Sequence, residues 1–490
     1  MVLETLLILP FVGALICYFL PSGERSRQQR PYVVAGVGIV HLGLSICSIM
    51  TCEGQSLLGG WLVLDPIGSV FILSMSTLYA CCAIYAVSYL RNRPNSRNNI
   101  FCTCLNLLLG VSTLVFMAHN LGLMWVTIEA TTLVTAPLIY LNRTPLSLEA
   151  VWKYLLICSA GIALALLGSF FLAYAALAGE SAAHSASLSL EDLLLAAPLL
   201  SKAWLHLAFV TLLIGYGTKL GIAPLHTWKP DAYGESQGLT GALLAGGVTS
   251  CAFIAIIRVT MIMHAAGEFQ FAALFLKGFG IFSILLAAMF LIRQRDFKRM
   301  LAYSSIEQMG ILILGLGTGG LGTFAALFHM INNALSKGIL FLAAGNIHRA
   351  FESKSLDRVR GSLRIVPWSS ALFLVGFFAS TGSPPFSPFL SEFTLVQSMF
   401  IGGSFVLVFS FIVFLFIAFV GMGQTVLAVT QGDAPELSAK RFRDSVGTTM
   451  PIVILAMLIL VLGTYTPHFV TQHLKTAARY LETAQIGRSP

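Results

Sequence analysis

The chain has 490 residues, of which 57% are hydrophobic and 10% charged, with a formal net charge of +8. Soluble domains carry roughly a quarter of their residues as charges, so this composition excludes a water-soluble globular fold and any nucleic-acid surface built on one. Apolar runs of about 18 or more residues, each long enough to cross a bilayer, recur from end to end; the fold class expected is an all-α polytopic membrane protein.

The first run, MVLETLLILPFVGALICYFLP, lacks a basic leader and a small-residue cleavage site, and Arg25, Arg27 and Arg30 follow it. It reads as a retained first helix rather than a signal peptide. Setting apolar runs against polar breaks gives about fourteen spans. They fall at 2–20, 32–50, 66–90, 100–118, 120–141, 152–178, 203–228, 238–263, 271–292, 299–317, 322–347, 366–400, 402–430 and 447–466. Loops after odd-numbered spans hold the basic residues: Arg25, Arg27 and Arg30; Arg91, Arg93 and Arg97; Arg143; Arg293, Arg295, Lys298 and Arg299; Arg349, Lys354, Arg358, Arg360 and Arg364; Lys440, Arg441 and Arg443. Loops after even-numbered spans show Glu53, Glu180, Glu191, Asp192 and Glu268 instead. Basic residues stay on the cytoplasmic side, so both termini are expected on the outer face and the net charge belongs to the inner loops. Residues 1–470 read as one membrane domain, and 471–490, with Lys475 and Arg479, as a short peripheral tail.

Two spans look broken. The seventh contains LGIAPLHTW and the twelfth STGSPPFSPFLSEF, with Pro384, Pro385 and Pro388. Proline removes a helix donor and drives the preceding residue out of helical geometry. Two broken helices five spans apart suggest two five-helix repeats, spans four to eight and nine to thirteen, with a transport site near the midplane.

The nine cysteines lie mostly in apolar segments, and neither the adjacent Cys81 and Cys82 nor Cys102 and Cys104 suits a tetrahedral zinc site or an iron–sulfur cluster. No metal or cofactor is expected. GLGTGG at 315–320 follows no strand, so it is not a dinucleotide fingerprint. Arg258 and Lys277 lie near span ends and read as structural. Asp231 and Glu235, just past the seventh span, read as solvated inner-surface residues.

Glu129, Lys219, Lys337 and Glu392 have no such escape. A charge at bilayer depth costs about 2.5–3.5 kcal/mol on the insertion scale. Apolar residues would pack as well, so these charges point to proton handling, with a buried pair kept for helix registry as the alternative. A carboxylate about 7 Å from a lysine, at an effective dielectric near 20, stabilises the ammonium by roughly 2.4 kcal/mol. Moving or discharging the carboxylate therefore switches the lysine between holding and passing a proton. The unwound turn at Pro224 frees carbonyls that order water beside Lys219. His226 and His329 add titratable groups, either as relays or as plain interhelical hydrogen bonders.

KLGIAPLHTWKPDAYGES, supported by AYSSIEQMG, ALSKGILFLAAGNI and SPPFSPFLSEF, resembles the antiporter-like proton-conducting subunits of respiratory complex I, Mrp cation/proton antiporters and membrane-bound hydrogenases. The likeness spans nearly the whole chain, and PDAYGES, AYSSIE and AAGNI look most like component F of hydrogenase-4-type complexes. The resemblance implies that Glu129 is the glutamate of span five, Lys219 its partner, His226 the histidine after the break, Lys337 the lysine of span eleven, His329 the histidine before it, and Glu392 the terminal exit residue. It departs in three places. Ser250 stands where a lysine or histidine is frequent in span eight, Asn333 where a second histidine is common, and Tyr233 in place of the histidine of PDAH. The proton chain therefore has a central gap for water and Ser250 or Thr249 to bridge. The functions left open are a proton-translocating subunit of a redox-driven complex, an Mrp-like sodium/proton antiporter, a non-pumping structural subunit, and a partner in inorganic-carbon uptake. The expected partners are other integral membrane subunits, the lipid bilayer and a peripheral hydrogenase-like or NADH dehydrogenase-like arm supplying the electron chemistry, without nucleic acid.

Overall fold

The computed structural model describes residues 1–21, 23–91, 98–179, 187–433 and 442–483; Arg93, Arg97, Glu180, Lys440 and Arg441 of the loop charges lie outside them. Among the described residues, thirteen helices are long and apolar enough to cross a membrane. Span twelve is formed by two shorter helices, Pro367–Ser380 and Ser387–Ile401, which bring the total to fourteen. Spans one to three are Val2–Phe19, Glu24–Thr51 and Pro66–Arg91. The first repeat runs from span four (Asn98–Met117) through five (Leu121–Asn142), six (Pro145–Leu177) and seven (Lys202–Leu220) to eight (Gly238–Ala265). The second runs from nine (Phe269–Leu291) through ten (Phe297–Thr318), eleven (Leu321–Phe351) and the broken twelfth to thirteen (Phe405–Thr430), and span fourteen is Val446–Thr464.

Spans eight, ten and eleven are buried along almost their whole length, whereas thirteen and fourteen present most of theirs outward. The core therefore sits at the junction of the two repeats. Small residues permit the closest crossings: a β-carbon at Gly215 of span seven would lie 2.6 Å from the Ala165 nitrogen and 2.7 Å from the Gly161 carbonyl of span six. That contact fixes the end of span seven, where the chain leaves the helix.

Both breaks fall at a glycine in the left-handed region, Gly221 (φ 78°) and Gly382 (φ 62°). There a side chain is strained, and a β-carbon would in addition collide with the stem of Lys229 at Gly221 and with the carboxylate of Glu392 at Gly382. After each turn the chain re-enters helix, at Lys229–Glu235 and Ser387–Ile401. Span eight holds a third irregularity, a π turn over Leu244–Val248, where Asn333 Nδ2 of span eleven donates to the Ala245 carbonyl at 3.1 Å.

Arg258 does not snorkel to solvent. It is wholly buried and forms a bidentate ion pair with Asp65, at the mouth of span three, with His119 Nε2 3.8 Å from the same carboxylate. Burial, and then the Arg258 charge, push the His119 imidazole down to about 4. The pair ties span three to span eight, in keeping with a structural role. Leaving either charge alone in such a site costs about 3–5 kcal/mol. Arg258→Leu or Asp65→Leu singly is expected to lower the thermal midpoint of the detergent-solubilised protein by several degrees, with the double substitution recovering much of it. Additive losses in the double variant would show that the two residues do not act as a pair.

The segment read as a peripheral tail from Thr471 is instead part of an amphipathic helix, His468–Thr483, and the 470/471 boundary falls inside it. Leu474, Ala477, Ala478, Tyr480 and Leu481 are buried against spans three, eight and eleven. His473 lies 3.8 Å from Glu53, in the loop after span two, so the C-terminal helix shares a side with that loop, as the charge alternation requires.

Candidate functional site

In the first repeat the glutamate and lysine are joined by a hydroxyl rather than by direct contact. Ser159 Oγ donates to Glu129 Oε1 at 2.6 Å and Thr132 Oγ1 to Oε2 at 3.2 Å. Lys219 Nζ in turn donates to Thr132 Oγ1 at 2.7 Å and to Tyr154 Oη at 2.8 Å. Thr132 thus bridges the pair, one helical turn from Glu129 on span five. Lys219 is fully buried and Glu129 half-buried. His226 makes no side-chain hydrogen bond through Nδ1 and has Lys229 as its charged neighbour.

The second repeat holds a similar unit. Lys337 Nζ of span eleven donates to Ser304 Oγ at 2.6 Å and to Ser380 Oγ at 3.0 Å, and it is wholly buried. Ser380 stands two residues before Gly382, as Lys219 stands two before Gly221. The second lysine therefore arrives at the break from a neighbouring helix. Its acidic neighbour is Glu307 of span ten, buried to 2% exposure, a residue the sequence reading quoted inside AYSSIEQMG without singling it out. Ten is to the second repeat what five is to the first, so laying the two repeats over one another would have placed Glu307 opposite Glu129. His329 Nδ1 shares a 2.9 Å hydrogen bond with Ser391 Oγ, next to Glu392, and Asn332 Nδ2 donates to the same hydroxyl at 3.1 Å. Glu392 in turn has Glu307 as its charged neighbour.

Ser250 is hydrogen-bonded into neither unit among the described residues: it is buried, and its Oγ donates to the Gly246 carbonyl of its own helix at 2.6 Å. Asp231 and Glu235 are only partly exposed and ion-paired, Asp231 with Lys153 at 2.9 Å and Arg299 at 2.6 Å, Glu235 with Lys354.

Buried polar atoms are normally satisfied by protein or by ordered water. Among the described residues, His226 Nδ1, Glu307 Oε2, Gln308 Oε1, His329 Nε2, Asn333 Oδ1 and Glu392 Oε1 have no protein partner. Each is polar enough to hold water, and they gather around the two breaks and the span ten–eleven contact.

Residues 118–418, which include every one of these groups, match the family described as NADH:quinone oxidoreductase/Mrp antiporter, transmembrane. The chain belongs to this family. Within it, the chain is 35% identical over 350 residues to the hydrogenase-4 component F homolog of Methylacidiphilum infernorum (isolate V4), covering 70% of this chain and 73% of that protein. It shares its fold with a chain of the membrane-bound sulfane sulfur reductase, an archaeal respiratory membrane complex, at a TM-score of 0.87 and 20% identity over 98% of both chains. It shares it equally with a chain of the Mrp complex from Dietzia sp. DQ12-45-1b, at a TM-score of 0.86 and 17% identity over 99% of this chain and 97% of that one. Family membership, the fourteen spans and the two broken helices thus agree with the expectation from sequence.

Proposed function

We propose that this chain is the proton-translocating membrane subunit of a redox-driven complex of hydrogenase-4-like or complex I-like type. Glu129, Lys219, His226, His329, Lys337 and Glu392 carry the protons, together with Glu307. The observation that carries the reading is the repetition of one unit: a glutamate and a buried, hydroxyl-held lysine beside each helix break. Among the described residues neither lysine is locked in a direct ion pair, so each is free to lose its proton when its glutamate is neutralised or moves. The hydroxyls of Thr132, Tyr154, Ser304 and Ser380 accept from an ammonium and donate to a neutral amine, which keeps the site satisfied in both states. The name of the Methylacidiphilum relative supports a hydrogenase-like redox arm and companion membrane subunits as partners, because the chain contributes proton-handling groups and looks to others for electrons.

The test is redox-driven proton uptake by inverted membrane vesicles containing the assembled complex, with sodium uptake followed in parallel. Proton uptake that collapses with a protonophore and falls at least tenfold in a chain carrying Lys337→Ala is expected. Sodium uptake that survives the protonophore and is unchanged by Lys337→Ala would replace this reading with that of an Mrp-like antiporter subunit.

The charge alternation supports a bacterial inner-membrane orientation with both termini outside. In a chain otherwise free of cysteine, Gln55→Cys is expected to react with an impermeant maleimide only from the outer face, and Asp357→Cys only from the cytoplasm. The reverse pattern would invert the topology.

A further inference from the structure

Resting on the proton-translocating reading above, we propose that Lys229 is the group that hands protons from the first repeat to the second. It takes over the role that the sequence left to water with Ser250 or Thr249. Four observations converge on it. Lys229 is completely buried, although it follows a tryptophan and precedes Pro230 and Asp231 in what reads as the start of a loop.

Its stem lies on the bare α-carbon of Gly221, as the Glu392 carboxylate lies on that of Gly382. The two breaks therefore each receive one ionisable side chain from the helix that follows them, and Lys229 corresponds in the first repeat to the terminal carboxylate of the second.

The helix carrying Lys229 packs against both repeats, on span six and on span ten. Looking back, the Trp228 ring lies tilted 5.0 Å from that of Tyr154, whose hydroxyl holds Lys219, and Cys158 is an electrostatic neighbour of Lys219 and Lys229 alike. Looking forward, Lys229 Nζ donates to Ser305 Oγ at 3.4 Å, and the adjacent Ser304 accepts from Lys337.

Finally, no carboxylate pairs with Lys229 among the described residues, and its charged neighbour is Lys337. An unpaired buried ammonium is a poor structural element. Two amines within reach of one another suit a relay, because a proton arriving on one repels a proton held by the other.

The step transfers a proton and nothing else. The Lys219 ammonium gives up one proton and the Lys229 amine accepts one. The Lys229 ammonium then releases a proton through the Ser305 and Ser304 hydroxyls and intervening water, and the neutral Lys337 amine takes it up. Each hydroxyl accepts one proton as it passes on another, so charge is conserved across the chain.

The test uses vesicles with the assembled complex and measures protons moved per electron. Lys229→Met keeps the length and apolar stem without a titratable group, Lys229→Arg keeps the charge but holds its proton at any physiological pH, and Lys229→His titrates near 6.5 when unperturbed. Lys229→Met and Lys229→Arg are expected to assemble and to lose at least tenfold in protons per electron. Lys229→His is expected to keep part of the flux with its pH profile displaced to the acid side, a shift that a packing role does not produce. Wild-type stoichiometry in both Lys229→Met and Lys229→Arg, while Lys219→Ala and Lys337→Ala stop translocation, would overturn the handover and leave the broader reading standing. The same stoichiometry in all four variants would overturn that reading as well. Failure of all three Lys229 variants to assemble would make Lys229 a packing residue. Loss of flux in Ser250→Ala with full flux in Lys229→Met would move the handover to span eight.

Discussion

Lys219→Arg is expected to stop proton translocation while leaving the complex assembled. A guanidinium offers donors to Thr132 and Tyr154 much as the ammonium does, so the hydrogen bonds that seat Lys219 at 2.7 and 2.8 Å have a substitute. It does not release its proton at any physiological pH, and release is the event that the proposed function requires of this site. Lys219→Ala removes the carrier outright and is expected to reduce protons per electron at least tenfold. Glu129→Gln should do the same by a different route. It preserves an acceptor for Ser159, yet no longer alternates between a charge that favours the ammonium and a neutral form that releases it. Lys219→His is expected to retain a fraction of the flux, since its unperturbed pKa near 6.5 still allows loss and gain of a proton. A structural ion pair predicts another pattern: arginine tolerated, alanine mis-assembled, and flux per assembled complex unchanged. Proton uptake normalised to the amount of assembled complex separates the two.

What could be read from the sequence was whatever broke an apolar background. Glu129, Lys219 and Lys337 stand out because the bilayer penalises them individually, and the two broken spans because proline and glycine act locally. The charged groups that went unremarked share a different setting. Glu307 lies in the polar stretch SSIEQ of span ten, where one more polar residue adds little contrast. Its importance comes from the fold, which lays span eleven and Lys337 beside it. Lys229 sits among Trp228, Pro230 and Asp231, a composition that reads as a surface loop. Only the re-entry of the chain at Gly221 turns its stem inward. The C-terminal helix did carry a signal, with Leu474, Ala477, Ala478 and Leu481 at helical spacing. Its low hydropathy set it apart from the spans, although the apolar stripe was enough to dock it. The pairing of Arg258 with Asp65 is not legible in the sequence, because the two are 193 residues apart and pairing at that distance is not a local property.

Glu307→Gln is the second substitution expected to have a large effect, at least a tenfold loss in protons per electron with assembly retained. Glutamine matches glutamate in shape, and Glu307 Oε2 makes no bond to the protein that the exchange would break. The packing of span ten against span eleven is therefore preserved, and what is lost is the switch of charge beside Lys337. Glu307→Asp keeps the switch but draws the carboxylate back by one methylene, and should retain part of the flux. Its position also predicts coupling. Glu307 is the charged neighbour of both Lys337 and Glu392, so a proton leaving Lys337 meets it before the exit residue. Neighbouring carboxylates do not both ionise readily, so protonation of one favours release of the proton held by the other, which is expected to give the exit its direction. In a double-substitution cycle, Glu307→Gln and Glu392→Gln should therefore be strongly non-additive, the pair losing little more flux than either alone, because each interrupts the same transfer. Protons per electron in the four proteins of the cycle is the measurement. Unchanged flux in Glu307→Gln, with translocation still lost in Lys337→Ala, would remove Glu307 from the path and leave Lys337 to be tuned by its hydroxyl partners alone.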